Sequence, residues 1–185
     1  MALRVIAGTA GGRRLVAPKD GGRPTTDRVK EALFSSLGTR IQGATVLDLY
    51  AGSGALAIEA LSRGAERAVL VDRDRAADDA IRANLDTTGF ADRARVRRAS
   101  VATFLTGPVP EAPFDLVFLD PPYDLASTEV AGVLADLAGA GLAADGATVV
   151  VERPKAAAAV SLPEGWGTER ERAYGDTLLV VARAS

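Results

Sequence analysis

Four apolar runs, "ATVLDL", "RAVLVD", "FDLVFLD" and "GATVVVER", are separated by stretches in which apolar residues recur at helical spacing, "GALAIEALSRG", "RAADDAIRANLDTTG" and "ASTEVAGVLADLAGAG". The runs are nearly continuous instead of alternating with polar residues, as strands buried on both faces must be. A weaker strand pattern, "ARVRRA", stands between the second and third runs. The order is βαβαβ, which predicts a largely parallel sheet with helices on both faces. The tail departs from it. "TERERAYGDTLLVVAR" holds two strand-like runs joined at "YGD", a hairpin pattern that makes at least one of its strands antiparallel to the rest.

Ahead of the sheet, "LRVIAG" and "RRLVAP" read as a short basic β-like hairpin. "RPTTDRVKEALFSSL" follows, with Thr25, Thr26 and Asp27 as N-cap candidates and Val29, Leu33, Phe34 and Leu37 at helical spacing, so a helix is expected from near Asp27. The expected division is a basic extension over residues 1–24 and one α/β domain over 25–185. The Ala-rich stretch at 156–159 reads as helix filler, and there is no internal repeat. No run approaches the roughly 20 apolar residues of a membrane span, and "MALRVIAGTAGG" lacks the long apolar core of a leader, so a cytoplasmic protein is expected.

A length of 185 residues, 48% of them hydrophobic, suits one domain with a substantial core. The chain has neither cysteine nor histidine. That removes the thiolate nucleophile, the disulfide framework and the commonest general base and metal ligand, so no metal is expected. Net charge is −2 but uneven: residues 1–40 carry eight basic side chains (Arg4, Arg13, Arg14, Lys19, Arg23, Arg28, Lys30, Arg40) against Asp20, Asp27 and Glu31. Such a basic N-terminal region on an acidic body suits contact with a polyanion; it equally suits a solvated, Arg-rich hairpin.

Ligands of doubly wound sheets bind outside the carboxyl ends of the strands. Asp48, Asp72, Ser100 and Asp120 stand at or next to the ends of four consecutive strand patterns, so a parallel sheet would turn all four toward one crevice. In "DLYAGSGALA", Gly52 and Gly54 permit a tight turn before a helix whose N-terminus favours a polar or anionic group. Asp72, 18 residues beyond Gly54, is placed to accept from ribose hydroxyls. Together they read as a site for a nucleoside-containing cofactor. Gly52, Gly54 and Ala57 also fit a GxGxxA dinucleotide fingerprint, which keeps a nicotinamide (NAD) oxidoreductase in view. Against it, Asp48 and three more residues precede the first glycine, and an acid there suits a cationic cofactor such as S-adenosylmethionine better than a pyrophosphate.

"FLDPPYD" ends the third apolar run with a carboxylate, two strand-terminating prolines and an aromatic ring. The exocyclic amine of a base is a poor nucleophile because its lone pair is delocalised into the ring. Asp120 and a carbonyl at Pro121 could bind its two N–H groups and favour a tetrahedral nitrogen, with the lone pair aimed at the sulfonium methyl. Tyr123 could stack on the extruded base. Such a site works by orientation and electrostatics and needs no histidine, cysteine or metal. The missing cysteine also argues against methylation at C5 of pyrimidines.

"DLYAGSG" and "DPPY" resemble the cofactor loop and amino-group motif of the class I S-adenosylmethionine-dependent methyltransferases. More narrowly, "RVIAGTAGGRRLVAP", "RPTTDRVKEALFSSL", "VLDLYAGSGALAIEALSRGA" and "FDLVFLDPPY" resemble, in that order, the bacterial RsmD family. The resemblance covers nearly the whole chain. It implies a Rossmann-like, seven-stranded, mostly parallel sheet with one antiparallel strand. It implies methyl transfer from S-adenosyl-L-methionine to N2 of a guanine in 16S rRNA of an assembling small ribosomal subunit, the guanine-966 type site, by a monomer. Cofactor contacts would come from Asp48, Tyr50, Ala51, Gly52, Ser53, Gly54, Asp72, Arg73, Ser100 and Val101, with Thr26 and Arg28 closing over the cofactor or base. Asp120, Pro121, Pro122 and Tyr123 would meet the target base, and Arg4, Arg13, Arg14, Lys19 and Arg23 the RNA phosphates. Ser100 stands where relatives often carry an acid near the adenine, a departure from the pattern. A DNA adenine-N6 or cytosine-N4 methyltransferase shares the Asp-Pro-Pro-Tyr logic, but the chain has little room for a target-recognition domain. A catalytically silent RNA-binding module is a third reading, disfavoured by intact Asp120 and Tyr123.

Overall fold

The computed structural model describes residues 3–19 and 26–185. Among these, seven strands form one sheet: β1 (Thr45–Leu49), β2 (Arg67–Asp72), β3 (Ala94–Arg98), β4 (Phe114–Leu119), β5 (Ala143–Pro154), β6 (Gly167–Tyr174) and β7 (Thr177–Arg183). Their order is β3-β2-β1-β4-β5-β7-β6, and β1 to β5 pair in parallel. The antiparallel pairings β5·β7 and β7·β6 leave β7 as the one reversed strand, so the hairpin at Gly175 and Asp176 is as the tail pattern predicts. No helix among the described residues is long and apolar enough to cross a membrane.

Five helices cover the two faces: α1 (Asp27–Leu37), α2 (Ala55–Ser62), α3 (Arg75–Thr88), α4 (Val101–Thr106) and α5 (Ser127–Gly139). Alternation along the strands sorts the core. Val46, Leu70, Leu116, Phe118 and Val150 pack with α1, α2 and α3, whereas Leu47, Leu49, Val117, Leu119, Val149 and Val151 pack with α4 and α5. Of the N-cap candidates for α1, Thr26 does the capping, its hydroxyl accepting from Val29 N at 3.4 Å. One element was not foreseen and one expectation fails. α4, six residues long, had no periodic signal, and Ala156–Ala159 contains no helix, because that stretch crosses the surface after β5 with most of its side chains exposed.

The N-terminal segment pairs with itself only briefly. Residues 3–19 fold back on themselves through one antiparallel bridge, Arg4 to Arg14, with Leu15 N donating to Leu3 O at 2.8 Å and both Val5 N to Arg13 O and Gly12 N to Val5 O at 2.9 Å. Other amides of the segment turn to the helices instead. Ile6 N and Ala7 N donate to the Glu59 carboxylate at 2.7 and 3.1 Å, and Ala10 N donates to Ser62 Oγ at 2.9 Å. Lys30 Nζ donates to Arg4 O at 2.6 Å, and Val16 N to Asn84 Oδ1 at 2.8 Å. Val5, Ala10 and Leu15 join the core of α1, α2 and α3. The segment is thus an arm laid onto three helices and fastened by their buried polar side chains. Arg23, and the expected boundary after residue 24, lie outside the described residues.

The arm turns at Gly8 hard against the end of α2, where φ is +84° and a Cβ would stand 1.9 Å from the Ser62 carbonyl oxygen. Gly12 has nearly the same φ, +83°, with nothing within 4 Å. Gly12→Ala should therefore cost only the left-handed penalty of about 1–2 kcal/mol. Gly8→Ala adds a clash with backbone that cannot yield, for a total of about 3 kcal/mol or more. Urea unfolding together with trypsin sensitivity at Arg4, Arg13 and Arg14 measures the two, and equal losses would remove the Gly8 contact from the account.

Candidate active site

Strand order reverses between β1 and β4, so the connections leaving these neighbours go opposite ways and a crevice opens at their carboxyl ends. Into it run the β1–α2 loop, the end of β2 and the segment after β4.

The β1–α2 loop is held from three sides. Tyr50 adopts φ +62°, unusual for a residue with a side chain, and starts the turn. Ala51 N donates to Val71 O at 3.0 Å, and Gly54 N closes the turn on Ala51 O at 2.7 Å. Gly54 precedes α2 and has no side chain to cap it; instead Asp48 Oδ2, reaching from β1, accepts from Ala57 N at 3.1 Å. Asp48 is 1% exposed, so it acts through the loop it supports.

Asp72 ends β2 half-buried. One carboxylate oxygen accepts from Gly52 N at 2.9 Å and the other from Asp74 N at 3.0 Å. It therefore shapes both the glycine turn and the approach to α3, and each oxygen keeps a further acceptor site. Ser100 caps α4, accepting from Thr103 N at 3.1 Å and donating to Thr103 Oγ1 at 2.8 Å, with buried Val101 behind it. Arg73 is exposed at the rim.

After β4, Asp120 N approaches Leu49 O at 3.5 Å, keeping the segment beside the end of β1. Pro121 is buried, while Pro122 is exposed and its carbonyl accepts from Leu125 N at 3.0 Å in a turn. Tyr123 is 44% exposed, an unusual state for a large aromatic, with its hydroxyl 3.4 Å from Thr177 Oγ1 in β7. Beneath the turn, Arg153 donates to Leu125 O at 2.7 Å. The sheet thus brings Asp48, Asp72 and Asp120 to one end, near enough for the last two to act on the first.

The family model described as "Conserved hypothetical protein 95" matches residues 3–183. A relative from Escherichia coli (strain K12), named Ribosomal RNA small subunit methyltransferase D, is 40% identical over 174 residues, 94% of this chain and 85% of its own length. The solved structure of yhhF from Escherichia coli superposes with a TM-score of 0.89 at 34% identity, covering 100% of this chain and 99% of that one. The chain belongs to the RsmD family. The wider fold extends to SMU.776, solved in complex with SAH, with a TM-score of 0.67 at 12% identity over 81% of this chain and 48% of that one.

In this RsmD chain Thr26 and Arg28 are exposed at the start of α1. Arg4 donates through Nε to Asp27 Oδ2 at 2.9 Å, and Arg13 to Thr87 O at 2.9 Å; Arg14 and Lys19 are exposed on the same arm. Sequence reasoning missed the groups that fasten the arm. Glu59 sits inside the apolar helix "ALAIEALS", and Asn84 interrupts the buried face of α3 formed by Ala77, Ala80, Ile81 and Leu85. A polar residue on an inward face was the available signal.

Burial holds the Asp48 carboxyl well above the ordinary carboxylate range; the Ala57 N–H opposes this, and Asp120 and Asp72 add to it. The folded state therefore keeps this proton more tightly than the unfolded chain does. The stability it contributes is full below the ordinary pKa of about 4 and is lost as pH rises toward the folded value. Asp48→Asn keeps an oxygen for Ala57 and cannot ionise. Its stability relative to wild type should rise as pH increases above about 4, as urea midpoints would register; a constant difference would mean an unshifted Asp48.

Proposed function

We propose that this chain transfers a methyl group from S-adenosyl-L-methionine to the exocyclic N2 amine of a guanine in 16S rRNA, acting in the cytoplasm as a monomer on an assembling small subunit. The observation that carries the reading is Asp120 held beside the end of β1, from which the Gly52–Gly54 turn springs, at the strand-order reversal of a fold whose E. coli relative is named Ribosomal RNA small subunit methyltransferase D. SMU.776, with the same fold, carries SAH, which supports the choice of cofactor class.

The residues fit such a cofactor. A Cβ placed on Gly52 meets none of the described atoms within 4 Å, so the open side of the turn can receive a ligand. Gly54 differs: a Cβ there would stand 2.9 Å from Leu70 Cδ2, so its role is packing. The free acceptor sites of Asp72 suit ribose hydroxyls, Tyr50, Ala51 and Ser53 complete the loop, and Ser100 and Val101, at the start of α4, would hold the adenine. The acidic crevice suits a ligand bearing a sulfonium and an ammonium group. When bound, the cofactor supplies an electrophilic methyl group. Asp120 and the Pro121 carbonyl take the two N–H bonds of the base amine and orient its nitrogen; Tyr123 stacks on the base, and Pro122 stiffens the turn that presents them. Thr26 and Arg28 close over the site, and Arg4, Arg13, Arg14, Lys19 and Arg23 contact phosphates.

Asp120→Ala should lower methyl transfer by about 100-fold or more while changing the calorimetric affinity for S-adenosylhomocysteine less than about threefold. Equal loss of both would make Asp120 structural. Parallel assays on immature small subunits, naked rRNA and duplex DNA decide the substrate, and transfer to DNA alone would sink the reading; binding of NAD in place of S-adenosylhomocysteine would sink the cofactor. Replacing Arg13 and Arg14 together by Ala should weaken RNA binding and reduce the magnitude of the log K against log salt slope by roughly 1–2. An unchanged slope would take the arm out of the RNA site.

A further inference from the structure

Asn84 lies on the buried face of α3 and is 1% exposed. Its side-chain amide makes three hydrogen bonds, to two segments far apart in sequence. Oδ1 accepts from Val16 N at 2.8 Å, and Nδ2 donates to Val16 O at 2.9 Å and to Ser53 O at 2.9 Å. The orientation is fixed by chemistry: a flipped amide would set NH2 against the Val16 N–H and oxygen against two carbonyls. One planar group therefore bridges the basic arm and the middle of the Gly52–Gly54 turn. The backbone behind it is pinned as well, because Thr88 Oγ1 donates to Asn84 O at 2.7 Å. Arg13 bonds to Thr87 O one turn further along, so the arm grips α3 at two heights.

We propose that Asn84 is a positioning residue that couples the arm to the cofactor loop, so that RNA held on the arm and cofactor held in the loop strengthen each other's binding. The proposal rests on the RNA methyltransferase reading given above. The amide is rigid and sealed from water, so it cannot follow one segment without disturbing its bond to the other. A phosphate backbone that fixes residues 13–19 fixes Val16, hence the amide plane, hence the Ser53 carbonyl and the turn that carries Gly52 N to Asp72. Linkage makes the effect reciprocal: whatever factor RNA adds to cofactor affinity, cofactor adds to RNA affinity.

The experiment is a thermodynamic cycle on the full chain. Affinity for S-adenosylhomocysteine is measured by calorimetry with and without saturating small-subunit rRNA, for wild type, Asn84→Ala and Asn84→Ser. RNA should tighten wild-type cofactor binding by about fivefold or more, and the ratio should fall to near one in both variants. A purely structural asparagine would lower thermal stability and leave the ratio intact; that outcome overturns the proposal, as does a wild-type ratio at or below one while both ligands bind. Hydrogen exchange on wild type gives a second readout that requires no folded variant. S-adenosylhomocysteine should slow exchange of the Val16 amide, and an unchanged rate overturns the coupling. Failure of wild type to bind S-adenosylhomocysteine at all would instead strike the methyltransferase reading.

Discussion

Hydrogen bonds from backbone amides to side-chain carboxylates hold the loops of this protein in place. Asp48 takes Ala57 N, Asp72 takes Gly52 N and Asp74 N, Glu59 takes Ile6 N and Ala7 N, Asp115 takes Thr45 N, and Glu129 takes Ala126 N. Each bond joins an element to a neighbour that secondary structure alone would leave loose. Where the acceptor is charged, such a bond is worth about 1.5–3 kcal/mol, more than a neutral one. Glu59 shows the extreme case: fully buried, it also accepts from Arg63 Nε at 2.7 Å, and its charge opposes the lowering of the Lys30 pKa that burial causes. Removing one partner would leave the other charged in a dry interior.

The same chemistry divides the acids of the crevice into separate roles. Asp48 is buried and biased toward its neutral form, and it caps a helix whose own cap position is a glycine. Asp72 keeps acceptor capacity while shaping the turn, and Asp120 stands where the chain leaves β4, just ahead of two prolines. In a chain without histidine or cysteine, depth sets what each carboxyl does. Spacing places the three at strand ends; it cannot say that one of them faces inward.

The sheet and most helices were legible because parallel strands buried on both faces leave continuous apolar runs, and because Gly89 and the Gly175–Asp176 pair punctuate clearly. α4 was not, since "VATFLT" is too short to establish a period. The alanines at 156–159 have high helix propensity but find no face to bury, so propensity had nothing to act through. At the N-terminus the self-pairing stays short for a non-local reason: beyond Val5 and Arg13 the amides of Ile6, Ala7 and Ala10 bond to Glu59 and Ser62, more than 50 residues away. The polar residues at the mouth were visible as types at strand ends, whereas Asn84 and Glu59 were visible only as oddities on apolar faces.

The arm lies against α1, α2 and α3 along its described length, with Leu15 and Val5 in the core and Gly8 closed against Ser62. Ordering a free segment costs about 1–2 kcal/mol per residue in backbone entropy alone. Here folding has already met that cost. A polyanion docking on the arm encounters a surface whose shape precedes it, so association should proceed without a folding step on the protein side. Under the function proposed, the rearrangement that limits it lies in the partner, in how readily a nucleotide leaves its own stack.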